Sequence, residues 1–196
     1  MEFKDVVYGR RSVRHYTDEK ISDEDLAEIL DAAMWAPSGA NIQPWYFVVA
    51  KSDEALRKLD KLMKITAENN MSHLEERFAS HPRVVKEALH FISKLGNAPV
   101  VVMVFRDKKD YSWALSEEGV VQSISAAIQN LLLSAYDHGI ASCWLTAPDQ
   151  ADMNDVFRDE FAPDHGELVA LVTLGYAEEG KVFKAPKRKE NKFTII

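Results

Sequence analysis

The chain has 196 residues, 46% of them hydrophobic and 28% charged, a globular balance within the size range of one domain. A net charge of −7 argues against a general nucleic-acid or anionic-membrane binder. Cys143 is the only cysteine, which excludes an intrachain disulfide and a cysteine-built zinc site.

The first residues, MEFKDVVYGRRS, lack the apolar core of a signal peptide. No stretch approaches about 18 uninterrupted apolar residues, so the expectation is a cytoplasmic protein that does not span a membrane. No repeat, low-complexity tract or linker marks a boundary, and residues 1–196 read as a single domain.

In chain order, residues 2–9 suit a short helix. Ser22 opens a clear one: it is an N-cap candidate followed by Asp23, Glu24 and Asp25, which complement the helix dipole. Leu26, Ile29, Leu30 and Ala33 then recur at helical spacing, and Pro37 ends the run. WYFVVA at 45–50 reads as a strand. A helix at about 53–66 follows, and the polar stretch 67–97 suits two or three helical pieces broken at His81-Pro82. APVVVMVFR at 98–106 is apolar without alternation, as in a strand covered on both faces. A long helix runs from about Ser116 to His138, apolar on most sides, which fits a core helix or a subunit contact. Gly139 is its C-cap. IASCWLTA at 140–147 is a third strand stopped by Pro148, residues 149–158 a short helix, and ELVALVTLGYA at 167–177 a fourth strand. Alternating helices and strands favour one sheet with helices on both faces.

Two basic segments interrupt the acidic whole. Arg10, Arg11 and Arg14 lie in RRSVRH, and Lys181, Lys184, Lys187, Arg188, Lys189 and Lys192 lie near the other end. Charge alone favours two solvated surface segments. If the ends meet in space, they make a site for a phosphate or another small anion.

The sequence has neither a G-x-G-x-x-G fingerprint nor a G-x-x-x-x-G-K-[ST] loop. The six histidines never fall at metal-ligand spacing. Cys143 sits in an apolar strand and reads as a core thiol. No carboxylate pair stands out as acid and base. An enzyme with this sequence takes its chemistry from something other than its side chains.

One ten-residue stretch, APSGANIQPW at 36–45, packs five turn formers ahead of a core strand. That excess suggests a loop that holds its backbone against something. The stretch also belongs to a wider likeness. RRSVRHYTDEKIS at 10–22, APSGANIQPWYFVV at 36–49, AIQNLLLSAYDHGIASCWLTAP at 127–148 and LGYAEEGKVFKAPKRK at 174–189 together resemble the nitroreductase superfamily of FMN-dependent NAD(P)H oxidoreductases. The second segment is the most specific.

The resemblance implies an α+β fold, with a central mixed, mainly antiparallel sheet flanked by helices. It implies an intertwined homodimer with FMN at the interface, no nucleic-acid or membrane partner, and NADH or NADPH as donor. Turnover would be ping-pong, toward a small electron-poor acceptor such as a nitroaromatic or quinone. By the same resemblance, Arg10 and Ser12 would hold the flavin phosphate and ribityl chain, with Arg11 beside them and Arg14 at the pyrimidine edge. Pro37, Ser38 and Gly39 would line the ring bound mainly by the partner, with Gly39 small because a ligand approaches. Asn41 would brace that loop or reach the same FMN. Thr146, Ala147 and Pro148 would run along the ring, and Lys187 and Arg188, with Lys189 as substitute, would close on the phosphate. Here Lys189 is followed by Glu190-Asn191 where many relatives have Pro-Leu, which leaves the phosphate ligand open among Lys187, Arg188 and Lys189. Within residues 67–97, His73, Arg77, Phe78 and His81 are candidate pocket residues. Tyr111 and Trp113 read as helix-start packing. The superfamily also holds reductive dehalogenases and oxygen-using flavin enzymes. A flavin-binding, redox-responsive protein without turnover is a further alternative, as is an anion-binding module without flavin.

Overall fold

The computed structural model of the protein describes residues 1–181 and 184–196. The basic segment beginning at Lys181 therefore includes two positions, Val182 and Phe183, that lie outside the described residues. Helices α1 (Phe3–Gly9) and α2 (Asp23–Met34) precede strand β1 (Trp45–Ala50). Helices α3 (Asp53–Arg77) and α4 (Pro82–Lys94) lead to β2 (Val100–Arg106). Helix α5 (Glu117–Asp137), β3 (Ala141–Leu145), α6 (Ala147–Gln150), α7 (Asn154–Phe161) and β4 (Leu168–Gly175) complete the chain.

The strands form one four-stranded sheet in the order β1-β2-β4-β3. All three pairings are antiparallel, and the parallel element is a single bridge, Ser12 to Ser142. The lack of alternation in β2 has the expected cause. Val101, Met103 and Phe105 enter one core layer with α3 and α4, while Val100, Val102 and Val104 enter the other with α2 and α5. Both faces of the strand are covered.

Three serines start three helices. Ser22, Ser52 and Ser116 each accept a backbone N–H three residues on, from Asp25, Ala55 and Gly119, which satisfies an otherwise orphaned donor. Helix α5 buries one stripe, Val120, Ser123, Ile124, Ala127, Ile128, Leu131, Leu132 and Ala135, while Val121 stays exposed. Asn130 donates to the Ala32 carbonyl at 3.2 Å and ties α5 to α2.

Three expectations are corrected. Helix α3 runs to Arg77 rather than 66. Its buried stripe continues through Thr66, Ala67, Asn70 and Leu74, and the polar members of that stripe hide the periodicity. Pro148 lies in the first turn of α6, where a missing N–H costs nothing; β3 ends at Leu145 and the next long helix starts only at Asn154. Tyr111 is buried as packing requires, but Trp113 is 75% exposed.

His138 caps the end of α5. Its Nδ1 lies 2.8 Å from the Ser134 carbonyl and its Nε2 2.8 Å from the Glu28 carboxylate. Only the imidazolium donates to both. These bonds, Ser134 first and Glu28 second, raise its pKa above the ordinary 6.5 against the opposing effect of desolvation. A raised folded pKa gives stability that is complete below the unfolded value and is lost as pH rises through the folded one. Thermal melts across about pH 5.5–8.5 should therefore show a loss at the alkaline end that His138→Gln lacks. Parallel curves for the two proteins would refute this.

Candidate functional site

The N-terminal arginine segment lies along the free edge of β3. The Val13 N–H donates to the Ser142 carbonyl at 2.9 Å, covering part of an edge that would otherwise present unpaired groups. Tyr16 fixes the segment from below. Its buried hydroxyl donates to the Val13 carbonyl at 2.6 Å and lies 2.8 Å from Thr173 Oγ1 on β4. Gly96 fixes it from the side. A Cβ there would stand 2.3 Å from the Arg14 carbonyl oxygen, and its φ is +64°, so the turn needs glycine on both counts. The Tyr16 N–H donates to the Gly96 carbonyl at 3.1 Å.

This anchoring sets the segment that carries Arg10, Ser12 and Arg14 along the edge of β3 at Ser142, next to Cys143. Burial pushes the Cys143 thiol up, and Arg14, a Ser12 hydrogen bond and Arg10 pull it down in that order. The thiol stays protonated in the core and is neither a nucleophile nor a thiolate. Arg11 is engaged differently. Its Nη1 donates to the Tyr8 and Arg10 carbonyls, both at 2.7 Å, and so caps α1. The Ser142 hydroxyl, buried beside Ser12, has no hydrogen-bond partner.

The other end of β3 carries the second group. Thr146 is exposed, while Ala147 and Pro148 are buried, so this turn offers backbone and one side chain to a ligand. From Ser142 to Thr146 the strand advances about 13 Å. Asn70, which the sequence reading missed, belongs here. Its Nδ2 donates to the Ala147 carbonyl at 2.9 Å and to the Thr66 carbonyl at 2.9 Å. Its Oδ1 is buried without a donor. Nothing in the local sequence marks it, because a single asparagine within a polar helix looks solvated.

The 37–41 loop lies elsewhere. The Gly39 N–H donates to Ser123 Oγ at 3.3 Å, near the start of α5, whereas a Cβ on Gly9 would run into Tyr136 at the far end of that helix. Thirteen helical residues separate these contacts, roughly 20 Å. The loop is self-braced: Ser38 Oγ accepts from the Gln43 N–H at 3.0 Å and Asn41 Oδ1 from Gln43 Nε2 at 3.1 Å. Ala40, Asn41 and Gln43 all hold positive φ, and buried Pro44 and Trp45 fix the loop to β1. The space beside Gly39 is taken by this chain's own Leu115, whose Cδ2 would be 2.5 Å from a Cβ.

The tail passes close to the arginine segment and then leaves it. The Thr17 N–H donates to the Tyr176 carbonyl and the Glu178 N–H to the His15 carbonyl. Lys187 and Arg188 are exposed, and the one hydrogen bond from the Arg188 side chain goes to the Pro186 carbonyl at 3.5 Å. Among the described residues, no hydrogen bond joins Lys187 or Arg188 to the arginine segment. Of the 67–97 candidates, Phe78 lines a groove and Arg77 lies over its ring at 5.4 Å; His73 and His81 line none of the clefts described here.

Chemically, this is a cationic strand edge with spare polar atoms. No cluster of three or more His, Cys, Asp or Glu able to hold a metal occurs among the described residues. No helix is long and apolar enough to cross a membrane. Such an edge has the charge to suit an anionic group.

Comparison with known proteins identifies a family. The profile of the nitroreductase family matches residues 7–176. An Archaeoglobus fulgidus protein named "Putative NADH dehydrogenase/NAD(P)H nitroreductase" is 34% identical over 179 residues, spanning 91% of this chain and 87% of its own. Iodotyrosine deiodinase 1 of Rattus norvegicus is 27% identical over 195 residues, spanning 96% of this chain and 66% of its own. The crystal structure of a nitroreductase with bound FMN from Bacteroides fragilis superposes with a TM-score of 0.73 at 27% identity, covering 100% of this chain and 99% of that one.

Proposed function

The chain belongs to the nitroreductase family, and on that premise we propose that it is an FMN-dependent oxidoreductase using NADH or NADPH to reduce small electron-poor acceptors, nitroaromatics and quinones among them. One observation carries this reading: the segment bearing Arg10, Ser12 and Arg14 is fixed along the edge of β3 by the Ser12–Ser142 bridge and the Val13 hydrogen bond to the Ser142 carbonyl. The residues present fit a flavin mononucleotide. Arg10 and Arg14 suit its phosphate and its electron-rich ring edge. The orphaned Asn70 Oδ1 and Ser142 Oγ supply acceptors that a polar ring and a polyhydroxyl chain can satisfy.

When bound, FMN supplies the ring that takes a hydride from the donor and passes electrons to the acceptor. The chain's own work is positional. Arg10 and Ser12 hold the anionic end. Arg14 places positive charge where negative charge develops. Thr146 and the turn after it present backbone to the ring, and Asn70 holds that turn through the Ala147 carbonyl. No side chain acts as general base.

The separation of roughly 20 Å between the 37–41 loop and the arginine edge argues for a second copy. In a homodimer, Pro37, Ser38, Gly39 and Asn41 of one chain complete the site of the other, with Lys187 and Arg188 closing on the phosphate. Phe3, Tyr8 and Trp35, exposed by 73%, 73% and 80%, supply apolar surface for that contact. The test is the visible spectrum of the purified protein before and after anaerobic NADH and NADPH, with sedimentation alongside. A yellow dimer that bleaches is expected. A colourless protein refutes the flavin reading, and a monomer that retains FMN refutes the shared site. The deiodinase likeness favours a second reading, reductive removal of halide from a halogenated phenol. Parallel turnover of nitroaromatics and halogenated phenols separates the two.

A further inference from the structure

A groove of about 700 Å³ lies between residues 14–16 and the exposed side of α4, a volume suited to a small molecule. Phe78, Phe91 and Tyr16 give it aromatic walls. Helix α4 turns a basic stripe toward it. Arg83, Lys86 and Lys94 stand against Glu87 alone on this helix, in a chain whose net charge is −7. Arg14 forms the opposite wall, its guanidinium 5.6 Å from the Phe91 ring centre.

The cations are not equally free. Arg83 pairs with Glu87 at 2.7 Å and Lys94 with Asp60 at 3.2 Å. Among the described residues, Arg14 and Lys86 have no carboxylate within ion-pair distance. Glu178 is the other carboxylate at the rim. Aromatic walls flanked by two unpaired cations match one ligand chemistry: a ring that bears an acidic group.

We propose that this groove receives the acidic end of an aromatic acceptor, a carboxylate held by Lys86 and Arg14 with its ring against Phe78 and Phe91. The inference rests on the oxidoreductase reading, because Arg14 is the residue that joins the groove to the cofactor edge. It narrows the acceptor from electron-poor aromatics in general to those carrying negative charge. A neutral ring would gain the same apolar contact and leave Lys86 without a partner.

The probe pair is 4-nitrophenylacetate and 4-nitrophenylacetamide, alike in shape and different in charge. Equilibrium binding of each to the purified protein is measured by titration calorimetry for the native chain, Lys86→Gln and Lys86→Glu. The native protein should bind the acid about tenfold more tightly than the amide. Added salt should weaken the acid alone. Lys86→Gln should reduce the preference and Lys86→Glu abolish it. Equal affinities for the two probes, or a preference that survives Lys86→Glu, would overturn the proposal. So would a Lys86→Glu variant that raises KM for the nicotinamide donor and leaves the acid-to-amide ratio unchanged. A protein that selects the acid but carries no flavin would refute the oxidoreductase reading and keep the groove, so the two ideas fail separately.

Discussion

Arg14→Ala is expected to weaken FMN retention by ~1–3 kcal/mol, roughly five- to 150-fold in the dissociation constant, the range for a charge-assisted contact. The effect on folding should be far smaller. Arg14 is exposed, and its guanidinium approaches the Phe91 ring at 5.6 Å. An exposed contact of that kind contributes about 0.5–1 kcal/mol. The backbone position of residue 14 is held independently, by Tyr16 and by the tight turn at Gly96, so removing the side chain leaves the strand edge in place. Fluorescence titration of FMN into apoprotein and a thermal melt of the same apoprotein separate the two quantities. Unchanged retention would remove Arg14 from the site. An equal loss in both would make it a structural residue.

The contrast between Arg14 and Asn70 shows what the sequence makes legible. Arg14 belongs to a run of cations without acids, and such a run stands out in an acidic chain. Asn70 stands in AENNMSHLEER, where most neighbours are polar, yet it is completely buried. Its role depends on a hydrogen bond to Ala147, 77 positions away, and no local pattern encodes a pairing of that length. The same residue hid the second half of α3, because Thr66 and Asn70 occupy core positions that periodicity assigns to apolar side chains. Within the helix Thr66 donates to the Leu62 carbonyl and the Asn70 amide to that of Thr66, while Asn70 Oδ1 stays without a donor.

Helix starts were legible for the opposite reason. A serine cap and the acids after it act within four residues, and Ser22 and Ser116 begin helices where the pattern places them. The strand order β1-β2-β4-β3 was not legible. It brings the first 16 residues to the edge of β3 through the long-range pairing of Ser12 with Ser142. That pairing sets a charge cluster along a strand edge.

Gly39 is where the sequence reading and the structure diverge most usefully. The turn-rich loop suggested a glycine kept small for a ligand. In the structure its φ is not among the positive ones, and a Cβ would meet Leu115 Cδ2 at 2.5 Å and Cδ1 at 2.9 Å. Gly39→Ala should therefore destabilise the fold itself, by about 1–3 kcal/mol as overpacking does. The lower half of that range is expected, since the obstructing atoms are the far end of a half-buried side chain. Leu115→Ala made together with Gly39→Ala should recover most of that loss, because it removes the colliding methyl groups. Coupling of this kind between touching residues is what a double-mutant cycle measures. FMN retention should fall in Gly39→Ala and recover with stability in the double variant, because the loop regains its Ser123 hydrogen bond once the collision is gone. A double variant that folds as well as the native chain and still releases FMN would give a different result. The glycine would then be small for the flavin's sake, and Leu115 would only be its neighbour in the unliganded chain.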